Sequence, residues 1–206
     1  KLCDELIQSL FYDMFGDPII NPKGWKSISL GNISNLKTGG TPSRSNPKFF
    51  EGNIPWITTV ALGKTYIDDK DAIEFITEEA INNSSTKLIK ENSLLLGVRV
   101  GVGKVSINTV PMCTNQDIVS ISDIDESKFD LVFVLNVIRA YSKYFNNQKR
   151  GATIKGIEID TVKKIKIPMP DICLQRCYSN IVSKIEHQKQ LLQQSLSLLE
   201  DNFNSL

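Results

Sequence analysis

Tyr178-Ser179-Asn180-Ile181-Val182-Ser183-Lys184-Ile185-Glu186-His187-Gln188-Lys189-Gln190-Leu191-Leu192 opens a seven-residue rhythm that runs on through Leu199 to Leu206. Tyr178, Ile185, Leu192, Leu199 and Leu206 mark the repeat, and Ile181, Val182, Leu196 and Phe203 fill in at three- and four-residue steps. Apolar residues at this period form one stripe along a helix. Gln188 and Lys189 interrupt the second row, as a polar residue that sets register does. Pro168-Met169-Pro170 fixes the start, so the helix takes up residues 171–206. At 1.5 Å per residue it is about 50 Å long, more than a small domain needs for its own packing. The stripe predicts a partner helix, with Tyr178, Ile181, Ile185, Leu192, Leu196, Leu199 and Phe203 at the contact. The simpler alternative is a surface helix lying along its own domain.

The opposite end restates this pattern. Leu2-Cys3-Asp4-Glu5-Leu6-Ile7-Gln8-Ser9-Leu10 resembles Leu198-Leu199-Glu200-Asp201-Asn202-Phe203-Asn204-Ser205-Leu206, about 196 residues later. Each has two acids in the middle and closes on Gln/Asn-Ser-Leu. A chain whose last helical turns repeat its first reads as one period of a longer repeat. The first residue is Lys rather than Met, which fits an excerpt of a longer protein. The first helix covers Lys1 to Phe15, with Cys3, Leu6, Ile7, Leu10 and Met14 at helical steps. Gly16-Asp17-Pro18 stops it, because Gly suits the position past a helix end and Pro cannot continue one.

Between the helices the chain mixes short strands, loops and one long helix. Strands are predicted at Lys26–Leu30, Ile54–Thr59, Ser93–Arg99, Lys104–Ile107, Asp117–Ile121 and Thr161–Ile167. A helix is predicted from Lys128 to Asn146, with Leu131, Val134, Leu135, Ile138, Tyr141 and Phe145 on one face. A shorter one, Thr77–Asn82, is opened by a Thr77 cap with Glu78 and Glu79 in its first turn. Gly39-Gly40-Thr41-Pro42-Ser43 and Gly101-Val102-Gly103 read as flexible loops. The fold class is α+β: a mixed-sheet domain between a short N-terminal helix and a long C-terminal helix of coiled-coil type. The boundaries are 1–17, 18–170 and 171–206.

Composition narrows the function. With 41% hydrophobic and 23% charged residues, the 206-residue chain has the make-up of a soluble globular protein. No apolar stretch approaches the roughly 18 residues of a membrane span, and no signal-peptide pattern is present. Four scattered cysteines and one histidine do not make a zinc-site spacing. Cys173 and Cys177, one helical turn apart, read as packing residues, and a reducing cytoplasm is the default. The net charge of +1 hides segregation. Pro18 to Phe50 carries bases and no acid, Lys143 to Lys166 is strongly basic, and Asp68 to Glu79 collects the acids. A near-neutral protein with one basic face can still attract a polyanion.

No catalytic signature survives inspection. Lys104 follows Gly103, but Val98 stands where a P-loop needs Gly, and Val105 replaces its Ser/Thr. There is no Gly-x-Ser-x-Gly elbow and no histidine to spare for a triad. The Asn/Asp-Pro-Pro-aromatic segment of amino-methyltransferases is missing. Asp68-x-Lys70 and Glu126-x-Lys128 give half of a nuclease motif without its upstream partner. A binding module is expected, not a catalyst.

Ser9-Leu10-Phe11-Tyr12-Asp13-Met14-Phe15-Gly16-Asp17-Pro18, followed by Asn21-Pro22-Lys23-Gly24-Trp25, resembles the junction inside specificity (S) subunits of type I restriction–modification enzymes. There a conserved-region helix hands over to a target recognition domain. Lys37-Thr38-Gly39-Gly40-Thr41-Pro42-Ser43, Ile54-Pro55-Trp56-Ile57, Arg99-Val100-Gly101-Val102-Gly103-Lys104-Val105 and Thr114-Asn115-Gln116-Asp117 are similar to that domain. Gly151-Ala152-Thr153-Ile154-Lys155-Gly156-Ile157, Ile165-Lys166-Ile167-Pro168-Met169-Pro170 and Gln175 resemble its closing segment. The resemblance covers essentially the whole chain, departing at Cys173 and Cys177. It implies half of a full S subunit; a start inside a helix without Met favours the second half of a longer subunit over the alternative, a natural half-length one.

The resemblance further implies that this chain reads one half of a bipartite double-stranded DNA site while its helices act as spacer and docking surface. The implied partners are modification (methyltransferase) subunits, a restriction subunit, and a second S half or a homodimer through the helices. No cofactor is expected on this chain; S-adenosylmethionine, ATP and magnesium belong to the partner subunits. The alternative is a helix-mediated assembly module without DNA reading. Candidate DNA contacts are Thr38, Gly39, Thr41, Ser43 and Arg44 in one loop, and Arg99 and Lys104 around a Gly-x-Gly hairpin. Asn115 and Gln116 have the chemistry to read adenine, although Asn-Gln in a loop is as often a turn device. Gln148, Lys149, Arg150, Thr153 and Lys155 form the densest polar-basic loop. Arg suits bidentate contact with guanine and Lys suits phosphate. Trp56 reads as core.

Overall fold

The computed structural model describes residues 2–148 and 156–204, with the side chains of 143–148, 197 and 201–204 left aside. Helix α1 (Leu2–Phe15) ends where the sequence stops it: Gly16 takes φ +78 and returns its N–H to Tyr12 O at 2.9 Å. A left-handed residue just past a helix satisfies one of the orphan carbonyls, and Gly adopts it without strain. Then follow β1 (Ser27–Ser29), β2 (Asn35–Thr38), β3 (Ile54–Ile57), β4 (Tyr66–Ile67) and β5 (Glu74–Ile76). Helix α2 (Glu78–Asn82) comes next, capped by the Thr77 side chain on Ala80 N–H at 3.2 Å. Strands β6 (Ser93–Gly97), β7 (Val105–Asn108), β8 (Cys113–Thr114) and β9 (Ile118–Ser122) lead to α3 (Leu131–Gln148). The chain closes with α4 (Ile159–Lys163), β10 (Lys166–Pro168) and α5 (Ile172–Asn204).

The main sheet has the order β2-β9-β6-β7-β4, antiparallel except where β4 runs parallel to β7. A smaller sheet, β5-β3-β8, is also mixed, and β1 pairs with β10. Strand β6 is buried on both faces. Leu94 and Leu96 face the helices, while Leu95 joins Ile57, Ile67, Met112 and Ile118 on the opposite side. That split follows from the two-residue period of a strand. The fold is α+β with mixed sheets, a short N-terminal helix and a long C-terminal helix, as the sequence predicts.

The predicted strand at Thr161–Ile167 is a correction. Residues up to Lys163 form α4, with Val162 N–H on Glu158 O at 3.2 Å, and only Lys166–Pro168 is extended. Val162 and Ile165 are three apart, a helical step; Ile165 and Ile167 are two apart, a strand step. Both periods are real and meet at Ile165, so a single assignment across them fails. Strand β2 was not predicted, since Asn-Leu-Lys-Thr has little strand character of its own. It forms because β9 supplies the pairing, from Asn35 opposite Ser122 to Thr38 opposite Val119.

Helices α1, α3 and α5 are joined by aromatic side chains. Phe15 meets Phe133 at 4.7 Å between ring centroids and Tyr178 at 5.5 Å, and Phe11 meets both within 5.8 Å. Asp130 caps α3 through Val132 N–H at 2.9 Å and also accepts from Ser179 Oγ of α5. Buried Gln175 completes the seam. Its Oε1 accepts from Asp130 N–H at 2.9 Å, and its Nε2 donates to Lys128 O at 3.1 Å and Pro170 O at 2.9 Å.

Helix α5 divides into two stretches. Tyr178 and Val182 are fully buried in the chain's own core, and Ile181 and Ile185 are half-buried. Tyr178 therefore leaves the predicted partner contact, because α1 and α3 already cover it. Further along, Leu192 is 66% exposed, Leu196 57% and Leu199 66%. The Phe203 side chain lies outside the described ones. Cys173 and Cys177 are exposed rather than packed; the buried thiol is Cys113, which burial pushes up to about 11.

Replacing Gln175 with Leu removes the partner of three backbone groups in a largely buried seam. We expect a loss of about 2 kcal/mol, read as a fall in melting temperature of about 4–8 °C. Native-state thiol titration is expected to modify Cys173 and Cys177 readily, and Cys113 only after denaturation.

Candidate nucleic-acid interface

Segments far apart in sequence meet along one edge of the sheets, and backbone hydrogen bonds hold them there. Past Thr38, at the end of β2, Gly39 N–H donates to Ile118 O at 3.0 Å and Gly40 N–H to Thr114 O at 2.9 Å. A Cβ on Gly39 would lie 2.3 Å from Asn115 O and 2.5 Å from Thr114 O. Only glycine permits this approach, so the Gly-Gly segment is closely packed, not a flexible loop as the sequence suggests. Trp56 Nε1 donates to Gly40 O at 3.0 Å from a buried ring, confirming Trp56 as core.

The 114–117 turn is the next member. Asn115 Nδ2 donates to Asp117 Oδ2 at 3.1 Å, and Asp117 N–H donates to Asn115 Oδ1 at 3.2 Å. Both ends of the Asn115 amide are engaged within the turn, and its side chain is buried. Asn115 is thus a turn device. Gln116 stands exposed at the tip, where Thr41 Oγ1 donates to its Oε1 at 2.5 Å.

The hairpin between β6 and β7 adds a third segment. Val98 N–H donates to Asp117 O at 2.8 Å, Gly97 N–H to Lys104 O at 2.9 Å, and Arg99 and Lys104 are exposed. The fourth segment returns beside it: Ile157 N–H donates to Val98 O at 2.7 Å. Lys149, Arg150, Thr153 and Lys155 lie outside the described residues, and Gln148 is described by its backbone alone. Of the remaining candidates, Thr38, Gly39, Thr41, Arg99, Lys104 and Gln116 share one edge.

Arg44 and Ser43 have local partners. Arg44 makes a two-pronged ion pair with Glu74, one arm at 2.8 Å, and its guanidinium lies 4.2 Å from the Phe50 ring centre. The acidic stretch therefore folds back against this part of the basic one. The Arg44 guanidinium holds the Glu74 carboxyl below its ordinary range through its hydrogen bond. The pair's contribution is present above the unfolded carboxylate pKa and is lost as pH falls through the lowered one. Ser43 Oγ shares a hydrogen bond with Ser45 Oγ at 2.7 Å.

Two features escaped the sequence reading. Ser85 and Thr86 pack beside Gly40, with Thr86 Oγ1 donating to Thr114 O at 3.2 Å. Lys37, Lys87 and Lys90 line a small hollow beside β2 and β9 with Ser120 and Asp123. The Asn82-Asn83-Ser84-Ser85-Thr86-Lys87 run is rich in hydroxyls and amides, the one signal that pointed to it.

A cavity of about 740 Å³ lies where this edge meets the helices. Asp4, Gln8, Arg139, Glu186 and Lys189 line it, with Lys104 on its wall. Thr65 Oγ1 donates to Glu186 Oε1 at 2.8 Å, and Arg139 Nη2 to Gly63 O at 3.3 Å. Lys189 Nζ donates to Asp4 Oδ1 at 2.6 Å, so polar contacts tie the 63–65 loop and α1 to α5. Among the described residues, no three His, Cys, Asp or Glu side chains are placed to hold a metal ion.

A family profile for the type I restriction modification DNA specificity domain matches residues 22–201. The chain belongs to that family. It is 31% identical over 184 residues to the type I restriction enzyme EcoR124I/EcoR124II specificity subunit of Escherichia coli, covering 85% of this chain and 45% of that protein. It is 28% identical over 163 residues to the MjaIX specificity subunit of Methanocaldococcus jannaschii, 79% of this chain and 38% of that protein. The HsdS subunit from Thermoanaerobacter tengcongensis superposes with a TM-score of 0.67 at 17% identity, over 94% of this chain and 45% of that one. The type I S subunit from M. genitalium gives 0.66 at 14% identity, over 96% of this chain and 51% of that one. These structural likenesses concern the fold. The chain spans less than half the length of the two sequence relatives.

Replacing Gly39 with Ala is expected to cost about 1–3 kcal/mol, because backbone carbonyls must move to admit a methyl. A lowered melting temperature with unchanged secondary structure would confirm it. Arg44→Ala is expected to cost under about 1 kcal/mol, since the ion pair is exposed.

Proposed function

We propose that this chain is the sequence-reading half of a type I specificity subunit, contacting one half of a bipartite double-stranded DNA site. Residues 18–170 act as the target recognition domain, and residues 1–17 and 171–206 as conserved-region helices. The observation that carries the reading is the meeting of the 38–41, 98–104, 114–117 and 156–157 segments on one edge, in a chain whose family is described by DNA specificity. That edge is built from close backbone approaches and bears exposed Arg99, Lys104 and Gln116, with Lys37 and Lys87 beside it. Cations there bind phosphate without regard to sequence, and amide and guanidinium groups reach base edges. Lys149, Arg150, Thr153 and Lys155, outside the described residues, are further candidate DNA contacts in this reading.

The chain itself performs no chemistry; it places a target base for a modification subunit to flip and methylate. S-adenosylmethionine sits on that subunit, and ATP and magnesium serve the restriction subunit. The exposed row of Leu192, Leu196 and Leu199 supports a helical partner, either the second half of the subunit or a second copy, and a docking surface for modification subunits. No helix among the described residues is long and apolar enough to cross a membrane.

The test is selection from a random duplex pool at two salt concentrations, with the chain assembled with its modification subunits. One short motif, bound with affinity that falls steeply in salt, is the expected result. Lys104→Ala is expected to weaken binding to all sequences alike and to reduce the salt slope by about one. Folded protein that binds no DNA at low salt would overturn the reading.

A further inference from the structure

Two valines stand on this edge with most of their surface in solvent: Val60 is 73% exposed and Val100 60%. Val100 belongs to the tip of the hairpin between β6 and β7, beside exposed Arg99. That tip is a tight turn. Gly103 N–H donates to Gly97 O at 2.9 Å and Lys104 N–H to Gly101 O at 3.0 Å, with Gly101 at φ +58 and Gly103 at φ +87. A Cβ on Gly103 would lie 2.5 Å from Ser142 Cβ, so the hairpin is seated directly on α3. Val60 tips a second turn, in which Ala61 N–H donates to Thr58 O at 3.1 Å. Asn115 N–H on Ile57 O, also at 3.1 Å, joins that turn to the 114–117 turn. The two tips adjoin: a Cβ on Gly101 would lie 3.4 Å from Thr59 Cβ. Thr59 is buried there, and its neighbour Val60 is left outside.

Backbone hydrogen bonds and glycine contacts hold both tips in place, so the valines stay on the surface. A branched aliphatic side chain has no hydrogen bond to offer a base and no charge for a phosphate; it gains by covering apolar surface. In the major groove of a duplex, the apolar group on a base edge is the 5-methyl of thymine. Side chains that wedge between base steps from the minor groove reach further, as Phe, Leu, Ile and Met do. Arg99 and Lys104, exposed on the same hairpin, supply cations for the phosphates on either side. We infer that Val60 and Val100 form an apolar contact for thymine 5-methyl groups in the half-site. The inference rests on the DNA-reading function proposed above and adds residues that read by contact rather than by hydrogen bond.

The experiment starts from the motif selected with the assembled complex. Each thymine in it is then replaced singly by deoxyuridine, which keeps the base pair and lacks only the 5-methyl. With the unaltered chain, at least one replacement is expected to weaken binding about fourfold, the effect of one buried methyl group. Val100→Ala or Val60→Ala is expected to bind the thymine duplex more weakly, and to tell thymine from uracil at that position by less than about twofold. Both residues are exposed, so the variants keep the fold, and matched melting curves check this. A motif without an A·T pair, uracil tolerated at every thymine, or a uracil effect unchanged in both variants overturns the inference while leaving the DNA-reading function standing. So does a loss of assembly with modification subunits in place of a loss of DNA affinity, which would assign the valines to a protein contact. Absence of any motif with the unaltered, folded complex overturns that function, and this inference with it.

Discussion

Phe11, Phe15, Phe133 and Tyr178 come from three helices and meet in one buried cluster, with ring centroids 4.7 to 5.8 Å apart. Edge-on aromatic contacts add to the large apolar area that such rings bury. Their placement matters more than their number. The cluster joins the first helix of the chain to the last, and both to the helix that backs the main sheet. Removing it would leave α5 held by Val182, Leu174 and Ile185, by Gln175 and Asp130, and by a few polar contacts. The outer half of α5, with its exposed leucines, depends on this joint for its direction.

Polar contacts near that joint link the edge formed by the loops to the helices. Thr65 on Glu186 and Arg139 on Gly63 tie the loops under the hairpin to α5 and α3. The edge itself is assembled from backbone more than from side chains. Gly39 and Gly40 lie against Thr114–Asn115 and Ser85–Thr86 at distances that exclude a Cβ, so neighbouring loops share one surface. Loops held by backbone hydrogen bonds can carry different side chains outward without altering the frame. In the proposed function, that separation places sequence reading in the side chains and the distance between half-sites in the helices.

Much of the fold was legible because its signals are local. The heptad row from Tyr178, the Gly16 stop, the Thr77 cap and the continuous apolar run of β6 each act within a few positions. Strand β2 was invisible because its four mostly polar residues become a strand only through β9. Residues 161–167 misled because a helical step and a strand step overlap at Ile165. Among the candidate contacts, the sequence singled out Gly39, Thr41, Gln116 and the hairpin without any means of seeing that they adjoin. It also grouped Arg44 with them by proximity, whereas Glu74 and Phe50 hold that side chain on a different task.

Residue type and spacing by themselves determined the helical ends, the α+β character, the basic stretches and the lack of familiar catalytic motifs. These depend on propensity, periodicity and turn chemistry, which a linear chain carries openly. Tertiary structure decided which half of α5 the protein covers and which half it exposes, since α1 and α3 reach only as far as Tyr178, Val182 and Ile185. It also decided that Asn115 is spent inside a turn while Gln116 is exposed at its tip beside Thr41. The two are adjacent and chemically alike, yet Asn115 is engaged by Asp117 within its own turn while Gln116 meets Thr41, 75 residues away.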